Sequence, residues 1–182
     1  MPLTVADIGK LFRDHGHVAY EGEGVSQLEH ALQAAELAED EGAGAELITA
    51  ALLHDLGHLL NRQGATPTMR GIDDRHQYFA IPFIRGVFPA SVVEAIRLHV
   101  DAKRALCALE PDYYERLSED SKRSLALQGG VFTEAQAREF LAKPHSDCAL
   151  RVRRWDDVAK VAGAATRPLA HYLEIAERCA LA

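Results

Sequence analysis

An all-α fold is what this sequence predicts, and three observations carry the prediction. Alternating β-branched runs are nearly absent, Ala, Leu and Glu dominate, and apolar residues recur at helical spacing between Gly- or Pro-marked breaks. With 182 residues, 48% of them hydrophobic and 26% charged, the chain has the length and composition of one water-soluble domain, read as spanning 1–182.

The elements follow in order. A short helix is expected over about 4–14, then a Gly-broken loop, "HGHVAYEGEG", over 15–24. Ser26 with Glu29 three residues on is a capping box, starting a helix that runs to about Glu41 with Leu28, Leu32, Ala35 and Leu37 near its buried side. "EGAG" ends it. The next helix, about 45–56, carries Leu47, Ala51 and Leu52 on its apolar face, with Gly57 as a C-terminal stop. A loop is expected over 61–71, then helices near 74–87 and 90–101, the second entered through Pro89. The polar stretch 102–130 holds helices near 111–117 and 119–128 and is broken by Gly129 and Gly130. Thr133 caps a helix over 133–142, Pro144 interrupts, and the last two helices are expected over 147–162 and 167–180.

The net charge is −7 and the pI about 5.7, and Lys and Arg form no stripe or block, so nucleic acid is excluded as an expected partner. The apolar runs are too short to cross a bilayer, and "MPLTVADIGKLFRDHG" has acids where a signal peptide would be apolar, so the expected location is the cytoplasm, without membrane or obligate protein partner. Cys107, Cys148 and Cys179 are isolated and odd in number, which fits neither a disulfide framework nor a thiolate zinc site; any metal here is expected on nitrogen and oxygen.

The stretch "AALLHDLGHLL", 50–60, puts His54 beside Asp55 inside a run that otherwise wants burial. Burying an imidazole and a carboxylate together is costly unless something satisfies both. His30, His76, His99 and Asp156 fall on other expected helices, as side chains do that converge on a metal in a helical bundle. Neighbours on a helix diverge by about 100°, so His54 and Asp55 suit two metals better than one, with the carboxylate bridging. His30, His54 and Asp156 would then serve one metal, and His76 and His99 the other. Four imidazoles and two carboxylates suit iron, manganese or another first-row divalent ion. His15, His17, His145 and His171 are read as surface or cap residues, and Trp155, Tyr113 and Tyr114 as packing.

In this order, His30, the His54–Asp55 pair and a distal Asp156 resemble the HD-domain superfamily, and His76 and His99 match its two-metal members. "YEGEGVSQLEHA", 20–31, places Tyr20 and Glu23 just before the His30 helix and is similar to the lid motif of the phosphonate-cleaving mixed-valent di-iron oxygenases, relatives of myo-inositol oxygenase. The likeness continues through "HDLGH", through His99 and Lys103, and through "SKRSLALQGG". It implies a single HD-domain helical bundle around a central dinuclear site, two irons working as Fe(II)/Fe(III), and O2-dependent cleavage of an organophosphonate C–P bond. The substrates implied are 1-hydroxy-2-aminoethylphosphonate, giving glycine and phosphate, or its N-trimethyl analogue, giving glycine betaine and phosphate.

The same resemblance implies roles outside the metal set. Tyr20 would occupy an iron position before substrate arrives, and Glu23 would meet the substrate's ammonium. His58, Lys103, Ser121, Ser124, Gln128 and Arg153 would bind the phosphonate, with Lys103 one turn after His99 and Arg153 three residues before Asp156. Arg154 and Asp157 are neighbours that a shift of one would exchange with that pair. The alternative within the same fold is a metal-dependent phosphohydrolase acting on a nucleotide or other phosphate ester, which would not need O2; a non-catalytic HD module would hold little metal.

Overall fold

The structure, a computed structural model, describes residues 2–20, 23–61 and 68–181. Among these the backbone is helices and loops, with two isolated β-bridges, Ala19 to Ser26 and Arg85 to Phe88. The helices are α1 (Val5–His15), α2 (Gln27–Asp40), α3 (Ala45–Leu53), α4 (Leu56–Leu60), α5 (His76–Phe79), α6 (Ile81–Ile84), α7 (Ala90–Leu109), α8 (Tyr113–Arg116), α9 (Glu119–Leu127), α10 (Glu134–Leu141), α11 (Ser146–Val158) and α12 (Leu169–Cys179), with a 3₁₀ turn at Thr68–Arg70. No helix of the described residues is long and apolar enough to cross a membrane.

Local chemistry sets many of the starts. Ser26 accepts from the Glu29 amide while Glu29 accepts from the Ser26 amide, and Thr133 with Gln136 does the same for α10. Thr4 and Asp7 build a third such box at α1. Each cap is worth about 1 kcal/mol. Small residues set the packing: Ala31, Ala34, Ala35 and Ala38 of α2 and Ala50 and Ala51 of α3 are buried, so these backbones approach closely. α7 runs through the centre, against α11 on one side and α3 on another.

Four expected elements differ from the structure. The helix expected over 45–56 breaks at His54 and Asp55, and Gly57 is not its stop but lies inside α4. A Cβ on Gly57 would sit 2.1 Å from the carbonyl oxygen of His76, so the missing side chain is what lets α5 pass. The helix expected over 74–87 is two short pieces that meet at Ala80, and Pro82, in the first turn of the second, has no N–H to continue a helical ladder from the first. α7 extends well past 101 because Ala102, Lys103, Ala105 and Leu106 remain buried; the charges that suggested an end belong to a face of the same helix. α11 stops at Val158 rather than near 162, with consequences for His30. Of the loop expected over 61–71, residues 62–67 lie outside the described residues.

The three cysteines are free thiols. Trp155 and Tyr113 are buried, and the Tyr113 hydroxyl donates to Asp157, whereas Tyr114 is exposed. His171 lies on the surface against Glu39.

Candidate metal centre and substrate pocket

The six residues singled out around the His54–Asp55 pair meet in one buried space. His30 Nε2 lies 3.1 Å from His54 Nε2, and His76 Nε2 lies 3.1 Å from His99 Nε2. Asp55 stands between the two pairs with one oxygen toward each. Its Oδ2 is 3.6 Å from His30 Nε2 and 3.5 Å from His54 Nε2, while its Oδ1 is 3.3 Å from His76 Nε2 and 3.6 Å from His99 Nε2. Asp156 Oδ1 is 3.4 Å from His30 Nε2. Two sets of donors, His30 with His54 and Asp156, and Asp55 with His76 and His99, are each close enough to hold one ion.

The backbone shows how the rings are aimed. His54 Nδ1 lies 2.8 Å from the Ala51 carbonyl and His99 Nδ1 lies 2.6 Å from the Ile96 carbonyl, each three residues back on its own helix. His30 Nδ1 lies 2.8 Å from the carbonyl of Ala159, which the early end of α11 leaves free. His76 Nδ1 lies 2.9 Å from Asp74 Oδ1. A carbonyl or carboxylate oxygen only accepts, so all four Nδ1 atoms carry hydrogen and donate. Burial pushes the His54 and His99 imidazoles down, so these rings are neutral near pH 7.

Neutral rings protonated on Nδ1 turn a lone pair outward at Nε2. His54 and His99 therefore turn lone pairs toward the imidazoles of His30 and His76, Nε2 to Nε2 at 3.1 Å in each pair, with Asp55 Oδ2 and Asp156 Oδ1 buried beside them without hydrogen-bond partners. A purely hydrogen-bonded His–Asp core would leave these buried acceptors unmatched. Cations between the donors satisfy all of them at once, and Nδ1 contacts to carbonyls or carboxylates are the usual support of metal-bound imidazoles. The residues fit a pair of first-row divalent ions.

A pocket opens on this centre. Tyr20 lies over it, its ring stacked on His30 at 4.0 Å between centroids and 18° between planes. Burial, with the carboxylates of Asp55 and Asp156, raises the phenol well above its ordinary range, so it stays protonated. Lys103, Arg153, Ser121, Ser124 and Gln128 line the same pocket with His58 and Glu23. Lys103 donates to the Ser124 hydroxyl at 2.8 Å; burial and the nearby Arg153 charge lower its ammonium to about 7. Arg153 is buried, with Nη1 2.6 Å from Asp156 Oδ2 and Nη2 on Asp157. Burial opposes the charge on Asp156, but the Arg153 guanidinium and the contact with His30 hold it well below the usual carboxylate range. Arg154 points outward to Glu110, so Arg153 is the one of the two that faces the site. Gln128 caps α9 rather than sitting inside it, and its buried Oε1 has no partner.

His58 is not carried on the helix of His54, because the chain turns at Asp55. It stacks on His76 at 4.1 Å between centroids, and its Nδ1 lies 2.6 Å from Asp74 Oδ2. Asp74 therefore grips both rings. It was missed in the sequence, where only its place two residues before His76 hints at it. Lys160, four residues after Asp156 and just past the end of α11, was also missed: its Nζ is 3.2 Å from Glu23 Oε1 and 3.4 Å from the Ser121 hydroxyl.

An all-α interior with two sets of metal donors either side of one carboxylate places the protein in a class, helical proteins with a buried site able to hold metal. The HD-domain family model matches residues 27–161. The chain is 43% identical over 176 residues to a hydroxymethylphosphonate dioxygenase of Gimesia maris (96% of this chain, 87% of the relative). It is 38% identical over 172 residues to a [1-hydroxy-2-(trimethylamino)ethyl]phosphonate dioxygenase (glycine-betaine-forming) of Leisingera caerulea (94% and 87%). An uncharacterised protein of Acanthamoeba polyphaga mimivirus is 34% identical over 171 residues (93% and 78%). The chain belongs to the HD-domain family, in the branch that contains these dioxygenases.

Proposed function

We propose that this protein, as one HD domain over 1–182, catalyses the O2-dependent oxidative cleavage of the C–P bond of a 1-hydroxyphosphonate with two irons as cofactor, in the Fe(II)/Fe(III) state. The observation that carries this reading is a single pocket lined both by members of the two metal-donor sets, Asp55, His76, His99 and Asp156, and by the cationic side chains Lys103 and Arg153. The names of the two dioxygenase relatives supply the substrate class, a phosphonate bearing a 1-hydroxyl in both.

The reaction balances with O2 as the sole oxidant. C1 loses its hydrogen and the C–P bond breaks; one oxygen atom enters the carboxylate and the other the phosphate. The four electrons leaving the substrate are the four that O2 accepts. His30, His54 and Asp156 would hold one iron, His76 and His99 the other, and Asp55 both. When bound, the irons supply O2 activation and a Lewis-acidic seat for substrate oxygens. The remaining residues bind and orient. The ammonium of Lys103 and the guanidinium of Arg153 meet the phosphonate, Ser121, Ser124 and Gln128 add neutral hydrogen bonds, and His58 adds a donor at the metal side. Tyr20 covers the centre from the His30 side and excludes water there until substrate enters.

The test compares phosphate release from hydroxymethylphosphonate and from 1-hydroxy-2-aminoethylphosphonate by iron-reconstituted protein in air and under argon. Release with one O2 consumed per phosphate, abolished under argon, is expected. Release that continues without O2 would replace this reading with hydrolytic C–P cleavage, in which water supplies the oxygen and no oxidant is used.

A further inference from the structure

We infer that Lys160 sets the charge selectivity at the Glu23 end of the pocket, so that this enzyme favours 1-hydroxyphosphonates whose C1 substituent carries no cation. The inference rests on the phosphonate reading and narrows it.

Glu23 is the carboxylate that an ammonium-bearing substrate would seek. In this chain it is already engaged. Lys160 Nζ lies 3.2 Å from Glu23 Oε1, and the Ser118 hydroxyl donates to the same oxygen. The two charged side chains are shielded from water to a similar degree, 12% exposed for Lys160 and 13% for Glu23, so the pair is poorly screened. Lys160 is held from two further directions. Its ammonium is 3.4 Å from the Ser121 hydroxyl and 5.7 Å from the centre of the Tyr20 ring. One side chain thus joins both lid residues, Tyr20 and Glu23, to the start of α9 and the end of α11.

A substrate ammonium arriving at Glu23 has two courses. It displaces Lys160 from its carboxylate and leaves that side chain in a shielded wall without its partner, or it shares the carboxylate with a second cation a few ångströms away. Both are unfavourable, and like-charge juxtaposition in a shielded site is an effective way of rejecting a wrong ligand. A substituent as small as hydrogen leaves the pair intact. Lys103, Arg153 and Lys160 together then face a ligand that brings only the negative charge of its phosphonate.

The experiment measures kcat/KM for phosphate release from hydroxymethylphosphonate and from 1-hydroxy-2-aminoethylphosphonate, on the full chain loaded with iron. Iron content is determined for every variant. The unaltered enzyme is expected to favour the hydroxymethyl compound by about tenfold or more. Lys160→Met is expected to move that ratio toward the aminated compound by about tenfold or more, and Lys160→Arg to restore it. If the Met variant fails to accumulate, Glu23→Gln tests the same point in the opposite sense, because Lys160 then stands uncompensated and the aminated compound is rejected more strongly. A ratio unchanged by Lys160→Met, an unaltered enzyme that prefers the aminated compound, or a Glu23→Gln variant that accepts it better, would overturn the inference while leaving C–P cleavage standing. Phosphate released from neither compound would overturn both.

Discussion

Gly57→Ala separates two physical effects of opposite sign. Gly57 lies inside α4 and its backbone is not in the left-handed region, so on helix propensity alone alanine would stabilise by about 0.5–1 kcal/mol. The tertiary structure predicts the reverse. The new Cβ would lie 2.1, 2.6 and 2.8 Å from the carbonyl oxygen, carbonyl carbon and Cα of His76, all backbone atoms that cannot rotate away. Ordinary contact begins near 3.4 Å, so α4 and α5 must separate by about 1.3 Å. Overpacking of this kind costs about 1–3 kcal/mol, which exceeds the propensity gain. For a chain of this length the net loss corresponds to a melting temperature lower by a few degrees, at about 2–4 °C per kcal/mol. The same shift carries His76 beyond the ~0.2 Å within which a ligand must hold its distance. On the two-iron reading, iron per chain should therefore fall from two toward one, because His30, His54 and Asp156 are carried outside α5. Thermal unfolding with elemental analysis decides the matter. An unchanged or raised melting temperature with two irons retained would refute the reasoning.

Four further expectations follow from the same geometry. Asp55→Ala removes the carboxylate shared by both donor sets, and both irons should be lost on elemental analysis; two irons retained would count against the bridging role. Tyr20→Phe keeps the ring on His30 but deletes the hydroxyl, so the visible or paramagnetic spectrum of the substrate-free cluster should change, and an identical spectrum would place the hydroxyl away from iron. Arg153→Ala should raise KM for the phosphonate by more than about tenfold, as expected for a lost charged partner, with a smaller effect on iron loading, whereas Arg154→Ala should stay within about twofold; equal effects would contradict their opposite orientations. Lys103, lowered to about 7 from 10.5, should lose its charge as pH rises through about 7, so KM should climb above that pH in the unaltered enzyme but not in Lys103→Met. Its folded pKa lies below its unfolded value, so the unfolded chain binds the extra proton between about 7 and 10.5, and stability should rise with pH across that window.

What could be read from the sequence was what is local. A capping box needs only Ser26 and Glu29, or Thr133 and Gln136, because a helix start is satisfied within four residues. The pair His54–Asp55 was legible for a different reason. Its cost inside an apolar run is a property of the residues themselves, and only a strong external partner removes it. The fold brings this pair and the four other ligand candidates, His30, His76, His99 and Asp156, within a few ångströms of one another.

The all-α class, the polar character of the site and its residue types were thus determined by the sequence alone, since propensity, capping and the price of burial belong to short stretches of chain. Tertiary structure alone decided the turn at His54 and Asp55 that gives each oxygen of Asp55 its own pair of imidazoles, the free carbonyl of Ala159 that orients His30, the inward face of Arg153, and the arrival of Asp74 and Lys160. Each of these depends on where one helix ends against another. Helix ends are settled by packing between segments far apart in the chain, as when α7 runs on past its charged residues because Ala102, Ala105 and Leu106 find a buried place.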